Sequence, residues 1–123
     1  MKKILNLSNH RLTEEQLKEL SNKNYEVIEL TEEEKKQWGQ LTPKNYKEIC
    51  DTILHKYWSK VDSFHLAGFP PAVTYFYFLT LIQDRYITKY CYYAYSTRET
   101  IEKEINGEIV KTSVFRHQGF YEY

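Results

Sequence analysis

Apolar and polar positions along this chain fall into two rhythms, short runs that suit strands and longer stretches with helical spacing. Lys3-Ile4-Leu5-Asn6-Leu7 is a short apolar run and reads as a buried first strand. Thr13-Glu14-Glu15-Gln16 is a capping box and predicts a helix from Glu14, striped by Leu17 and Leu20 and ended by Asn22 to Asn24. Tyr25 to Leu30 alternates as a second strand does. Thr31-Glu32-Glu33-Glu34 opens a short helix to Trp38, with its glutamates where the helix dipole favours negative charge and Gly39 as its stop. Pro43 suits the first turn of a third helix, on which Tyr46, Ile49, Cys50, Ile53, Leu54, Tyr57 and Trp58 recur on one face.

Val61–Ala67 reads as the third strand. Gly68-Phe69-Pro70-Pro71 is a tight turn into a fourth helix running to Asp84. That helix is apolar nearly all round, which predicts burial on several sides and one side available to a second copy of the chain. Thr88–Tyr95 reads as the fourth strand. Glu99–Ile105, Asn106-Gly107 and Glu108–Phe115 form a β-hairpin with a strong turn signal. Its two-residue turn sets Glu102 opposite Lys111 and puts Ile101, Ile105, Val110 and Val114 on one face, which is expected to cover something. Strands alternating with helices predict an α/β fold on a parallel sheet, with residues 1–97 as core and 98–123 as hairpin and closing segment.

A length of 123 residues fits one domain, and 41% hydrophobic content with twelve tyrosines can build a core and a stacking surface. Lysine plus arginine and aspartate plus glutamate both number 17. That balance argues against general binding of a nucleic-acid duplex, which rests on many basic contacts, but leaves room for a small anionic ligand. Cys50 and Cys91 have no metal-type spacing and read as reduced core thiols. No secretory signal or membrane span is read, since the apolar stretch from Val73 to Ile82 is half the ~20 residues a span needs. The expected location is cytoplasmic.

In open α/β sheets ligands bind beyond the carboxyl ends of the strands. Ser8-Asn9-His10 follows the first strand. Its hydroxyl and amide can donate to a phosphate, and its imidazole can act as acid or base. The same triplet is also an ordinary strand-to-helix turn. Gly68-Phe69, after the third strand, allows close approach of a ligand, although Pro70 and Pro71 remove two backbone donors. Ser96-Thr97-Arg98, after the fourth strand, is a phosphate fork or a surface arginine beside a cap. Arg116 and His117 would close the site if the hairpin folds back over the sheet end, or lie on a solvated edge if it does not. His55 and His65 read as packed histidines. No cluster has metal spacing, the acids are not paired for two-metal chemistry, and neither a Walker loop nor a dinucleotide fingerprint occurs, so no metal or cofactor is expected.

Asn6-Leu7-Ser8-Asn9-His10-Arg11-Leu12-Thr13, Gln37-Trp38-Gly39-Gln40-Leu41-Thr42-Pro43, Tyr95-Ser96-Thr97-Arg98 and Val114-Phe115-Arg116-His117 occur in that order. Together they resemble the small stand-alone Csx-type accessory proteins of type III CRISPR loci, over nearly the whole chain. The resemblance implies a Rossmann-like domain of the CARF kind, usually a homodimer. It also implies binding of a cyclic oligoadenylate messenger and, in many members, its metal-independent cleavage as a ring nuclease. On this chain the catalytic candidates are Arg98, which would neutralise the phosphate, and His10 or His117, one of which would move a proton. Ligand contacts would come from Ser8, Asn9, Ser96, Thr97 and Arg116, to which the position after the third strand adds Gly68 and Phe69. Two departures bear on cleavage and ring size more than on binding. Phe69-Pro70-Pro71 replaces polar residues after the third strand, and Gln118 to Glu122 replaces a basic stretch.

A two-fold dimer would set two copies of each strand-end loop around one axis, matching the symmetry of cyclic tetra-adenylate. Tyrosine or phenylalanine rings would stack adenines. Cleavage would use the ribose 2′-OH against its own phosphate and leave a 2′,3′-cyclic phosphate, the protein supplying position and charge. The alternative is a sponge or sensor that holds the messenger uncut.

Overall fold

The computed structural model describes residues 1–123. The elements run β1 (Lys2–Leu7), α1 (Glu14–Asn22), β2 (Tyr25–Glu29), α2 (Glu32–Trp38), α3 (Tyr46–Tyr57), β3 (Ser63–Leu66), α4 (Pro70–Ile82), β4 (Tyr90–Ile105) and β5 (Glu108–Glu122). Both capping boxes form as expected. The Thr13 hydroxyl accepts from the Gln16 amide and the Thr31 hydroxyl from the Glu34 amide, each at 3.2 Å, while each N3 side chain returns to the cap backbone. Pro43 lies ahead of its helix rather than in it. The turn there closes through the Asn45 side chain, which accepts from the Thr42 amide at 2.7 Å, and α3 starts at Tyr46.

The sheet has five strands in the order β2-β1-β3-β4-β5. β1 pairs in parallel with β2 and β3, β3 in parallel with β4, and β4 antiparallel with β5. This is an α/β fold on a mostly parallel sheet with a C-terminal antiparallel hairpin, as the element order implied.

Alternation along the strands divides the core between the two faces. Leu5, Leu7, Phe64, Leu66 and Cys91 meet Trp38 and the apolar faces of α3 and α4. On the opposite face Ile4 and Phe120 meet Leu20 of α1. Cys50 and Cys91 are free and buried. Burial pushes the thiols to about 12 and about 11 respectively, with the Asp51 charge adding to the effect at Cys50. α4 is buried only along one stripe. Phe78, Leu81 and Ile82 stand more than half exposed, so the burial on several sides that its composition predicts is not met within one chain.

The largest departure from expectation is β4. It does not stop at Tyr95 but runs unbroken for 16 residues, merging the fourth strand with the first arm of the hairpin. No break falls at residues 97 and 98. Pairing with β3 ends at His65↔Tyr92, while pairing with β5 continues to Ile105↔Glu108. The outer part of β4 and β5 is therefore a two-stranded ribbon that leaves the sheet. Its tip is the expected Asn-Gly turn, with both residues at positive φ, 51° and 80°. Glu102 pairs with Lys111 as predicted, with 3.7 Å between the charges. The ribbon register puts Ile101, Ile105, Val110 and Val114 on a common side, but that side covers nothing in this chain, and Ile105 and Val110 are exposed.

Candidate functional site

Strand order decides where the sheet opens. β1 connects outward to β2 on one side, and the chain then returns past β1 to β3 on the other. The connections leaving β1 and β3 therefore diverge to opposite faces, and a crevice opens beyond their carboxyl ends. Two predicted segments meet there, Ser8-Asn9-His10 after β1 and Gly68-Phe69 after β3. Between them sits the end of α2.

Trp38 at the end of α2 is buried and donates from its indole to the Ala67 carbonyl at 2.8 Å. Gly68 has φ +142°, and a Cβ there would lie 2.7 Å from Trp38 Nε1. A Cβ on Gly39 would lie 2.8 Å from the Asn9 side-chain nitrogen. Both glycines thus let backbone and side chain close up at the mouth of the crevice. Phe69 turns away from it and stacks edge-on against Tyr46, 6.0 Å between centroids. It is a packing residue and lines no free surface toward Ser8.

Asn9 borders an open cavity of about 380 Å³ shared with Glu32, Lys35, Lys36, Gly39 and Gln40. Lys35 is held by Glu29 and Glu32 at 3.7 and 3.9 Å. Lys36 is exposed and pairs with no carboxylate, so its ammonium is available to an anion beside Asn9. The sequence reading missed these lysines, which look like an ordinary solvated end of a short helix. Ser8 is buried, and its hydroxyl oxygen accepts from the His10 amide at 3.1 Å, leaving its O–H free to donate. Asn9 and His10 are exposed.

A polar row crosses the sheet just inside this mouth. Asn6 is aligned with Glu29 of β2 and His65 of β3. Its fully buried amide donates to the Glu29 carboxylate at 3.2 and 3.3 Å and to the His10 carbonyl at 3.1 Å. Because those three partners can only accept, Oδ1 must face His65, whose Nδ1 donates to it at 2.9 Å. His65 is therefore the packed histidine expected. Burial, reinforced by the nearby His117 imidazole, pulls its pKa down to about 4. His55 is not packed. It is exposed on α3 and bonds only the Asp51 carbonyl one turn back, at 2.7 Å.

The second predicted triplet is not a strand-end loop. Ser96, Thr97 and Arg98 lie inside β4, on the ribbon, aligned with His117, Arg116 and Phe115. The strand continues because its partner β5 supplies the hydrogen bonds that β3 no longer can. Arg98 is six residues beyond Tyr92, the last β4 residue paired to β3, which puts it roughly 20 Å further along at strand rise. Its guanidinium lies over the Phe115 ring at 5.4 Å. The Thr97 hydroxyl accepts from the Gln118 amide at 3.0 Å, and Ser96 is exposed.

Nor do Arg116 and His117 fold back over the sheet end. They are the β5 partners of Thr97 and Ser96 and are bound to α1. Arg116 lies 3.2 Å from Glu99 and 3.6 Å from Glu15. His117 is nearly buried, packs on Phe120 and donates from Nε2 to Glu19 at 2.7 Å. Its Nδ1 is buried without a partner. Of the predicted acid–base candidates, only His10 is open to solvent at the crevice. No three histidine, cysteine, aspartate or glutamate side chains gather closely enough to hold a metal ion. No helix is long and apolar enough to cross a membrane.

A family model described as the Uncharacterized protein MJ1673 family matches residues 2–121. No curated protein and no solved structure matches the chain significantly. The family match takes in the crevice loops, α2 and the ribbon alike, so the chain belongs to the MJ1673 family.

Proposed function

We propose that this protein binds a cyclic oligoadenylate, of the size of cyclic tetra-adenylate, at the carboxyl end of its sheet and opens the ring without a metal ion. The observation that carries the reading is the reversal of strand order at β1 and β3, with Ser8, Asn9 and His10 on one lip and Gly68 on the other. Lys36 stands at the same mouth and suits a phosphate. Ribbon residues Ser96 and Arg98, on one face of β4, form a second, distant wall, with Thr97 on the opposite face. A mononucleotide is too small to touch both walls, whereas a cyclic oligonucleotide is large enough. The sheet order through β4 is that of one common doubly wound fold, which supports the Rossmann-like, CARF-type reading.

In this reading two copies of the chain share one ring about a two-fold axis, each holding half. Asn9, Lys36 and Arg98 neutralise phosphates. His10 is the exposed imidazole placed to move a proton as the ribose 2′-OH attacks its phosphate and the 5′ oxygen leaves. The products are linear and end in a 2′,3′-cyclic phosphate. His117, turned toward α1 and Glu19, takes no proton-transfer role, and Arg116 is a scaffold residue rather than a ligand contact.

The test is incubation of labelled cyclic tetra-adenylate with excess protein in EDTA. Linear products with cyclic-phosphate ends are expected, and intact rings would overturn cleavage. One observation favours the alternative of a sponge that binds without cutting. Pro70 and Pro71 occupy the first two positions of α4 and remove backbone donors beside the crevice. Tight binding with the ring intact after hours would select it.

A further inference from the structure

The root of the ribbon is held by two carboxylates of α1. Glu15 and Glu19 lie one turn apart on the same helix face. Glu15 accepts from the His117 backbone amide at 3.2 Å and faces Arg116 at 3.6 Å. Glu19 accepts from the His117 side chain at 2.7 Å with one oxygen and from the Phe120 amide at 3.1 Å with the other. These contacts bracket the register shift between Tyr95↔Gly119 and Ser96↔His117, where Gln118 is the extra residue. A β-bulge at a strand edge bends the strand and re-aims what lies beyond it. What lies beyond this one, across the ladder, is Thr97 and Arg98.

α1 is also the element that follows Ser8-Asn9-His10, and its Thr13 cap fixes where that loop ends. One helix thus holds both walls of the proposed site, the crevice loop through its N-terminus and the ribbon through its carboxylates. We propose that Glu15 and Glu19 are positioning residues that clamp the bulge at His117 and so set where Arg98 stands relative to the crevice. The proposal rests on the reading that Arg98 grips the ligand, and it assigns no contact between either glutamate and that ligand.

A purely structural clasp would lower stability when opened but would act independently of Arg98, since residues that do not share a partner add. A positioning clasp acts through Arg98 and couples to it. Glu19→Gln keeps the shape but removes the carboxylate charge that strengthens these bonds and leaves a single accepting oxygen, which weakens the clamp. Affinity for cyclic tetra-adenylate is measured for the full chain, Glu19→Gln, Arg98→Ala and the double variant, with Glu15→Gln in place of Glu19→Gln if the latter does not fold. Hydrogen exchange of the β4 and β5 amides reads the ribbon directly.

The expected result is a loss of about 10-fold for Glu19→Gln alone and under about 2-fold when Arg98 is already alanine, with faster exchange near Gln118. Equal losses in both backgrounds, or none, while Arg98→Ala itself weakens binding, would overturn the positioning role and leave the binding site standing. If the unaltered protein does not bind the ring, or Arg98→Ala binds as well as it does, the site assignment and this role fail together.

Discussion

His65 donates from Nδ1 to Asn6 Oδ1 at 2.9 Å inside the sheet face that α1 covers. Both side chains are buried, and Asn6 has no exposed surface. Removing the amide would strand the His65 N–H and the His10 carbonyl, and a buried donor without a partner is costly. Asn6→Ala should therefore lower the free energy of unfolding by about 2 kcal/mol in urea denaturation. It should also loosen the crevice loop, since the His10 carbonyl loses its anchor.

The same pair sets a pH dependence. Burial, then the His117 imidazole, lowers His65 from 6.5 to about 4. Across that window the unfolded chain holds the proton and the folded chain does not, so acid favours unfolding. Stability from this group is complete above pH 6.5 and falls as pH drops toward 4, by up to about 3 kcal/mol. His65→Gln keeps a donor for Asn6 and should flatten this slope in stability measured against pH. A separate acid limb belongs to Glu34. Burial pushes its carboxyl up, but bonds from Tyr57, the Thr31 backbone and Lys56 outweigh that and hold it at about 2. Its contribution is present above the usual 4.5 and fades as pH falls toward 2.

Two glycines at positive φ separate strain from crowding. Gly107 has φ +80° and open space where a Cβ would stand, whereas Gly68 has φ +142° and Trp38 Nε1 only 2.7 Å away. Gly107→Ala should cost about 1 kcal/mol for backbone strain alone. Gly68→Ala should cost clearly more, shift the Trp38 fluorescence and weaken the indole bond to Ala67. Equal costs would contradict the close approach at the crevice mouth.

Much of this architecture was legible in the residues. The capping boxes at Thr13 and Thr31 use local hydrogen bonds and so can be read locally. The Asn106-Gly107 turn needs two left-handed residues, which few other pairs accept. The crevice loops after Leu7 and Leu66 followed from strands that end where their apolar runs end. What escaped was non-local. Tyr95 to Glu99 turns polar and looks like a strand end, yet the strand persists because β5 pairs with it from about twenty residues away. Lys36 gained its place at the crevice only when α2 packed beside Asn9. Asn6 looked like one polar residue in an apolar run until its neighbours on both flanking strands proved polar too.

Charge at the two walls can be tested separately. Arg98→Ala should weaken binding of cyclic tetra-adenylate by about 1.5–3 kcal/mol, the scale of a charged hydrogen bond. Lys36→Ala should weaken it by a similar amount, and both losses should shrink at high salt. His10→Ala should slow ring opening far more than it weakens binding, as a proton-transfer residue does. Unchanged affinity in either charge variant would remove that side chain from the site.

In the proposed function two copies of this chain hold one cyclic oligoadenylate at the carboxyl ends of their sheets. Isothermal titration of cyclic tetra-adenylate into the protein in EDTA tests it most directly. Saturable binding at one ring per two chains is expected, abolished or strongly weakened by combining Lys36→Ala with Arg98→Ala. No binding of the ring, or binding indifferent to both substitutions, would contradict it.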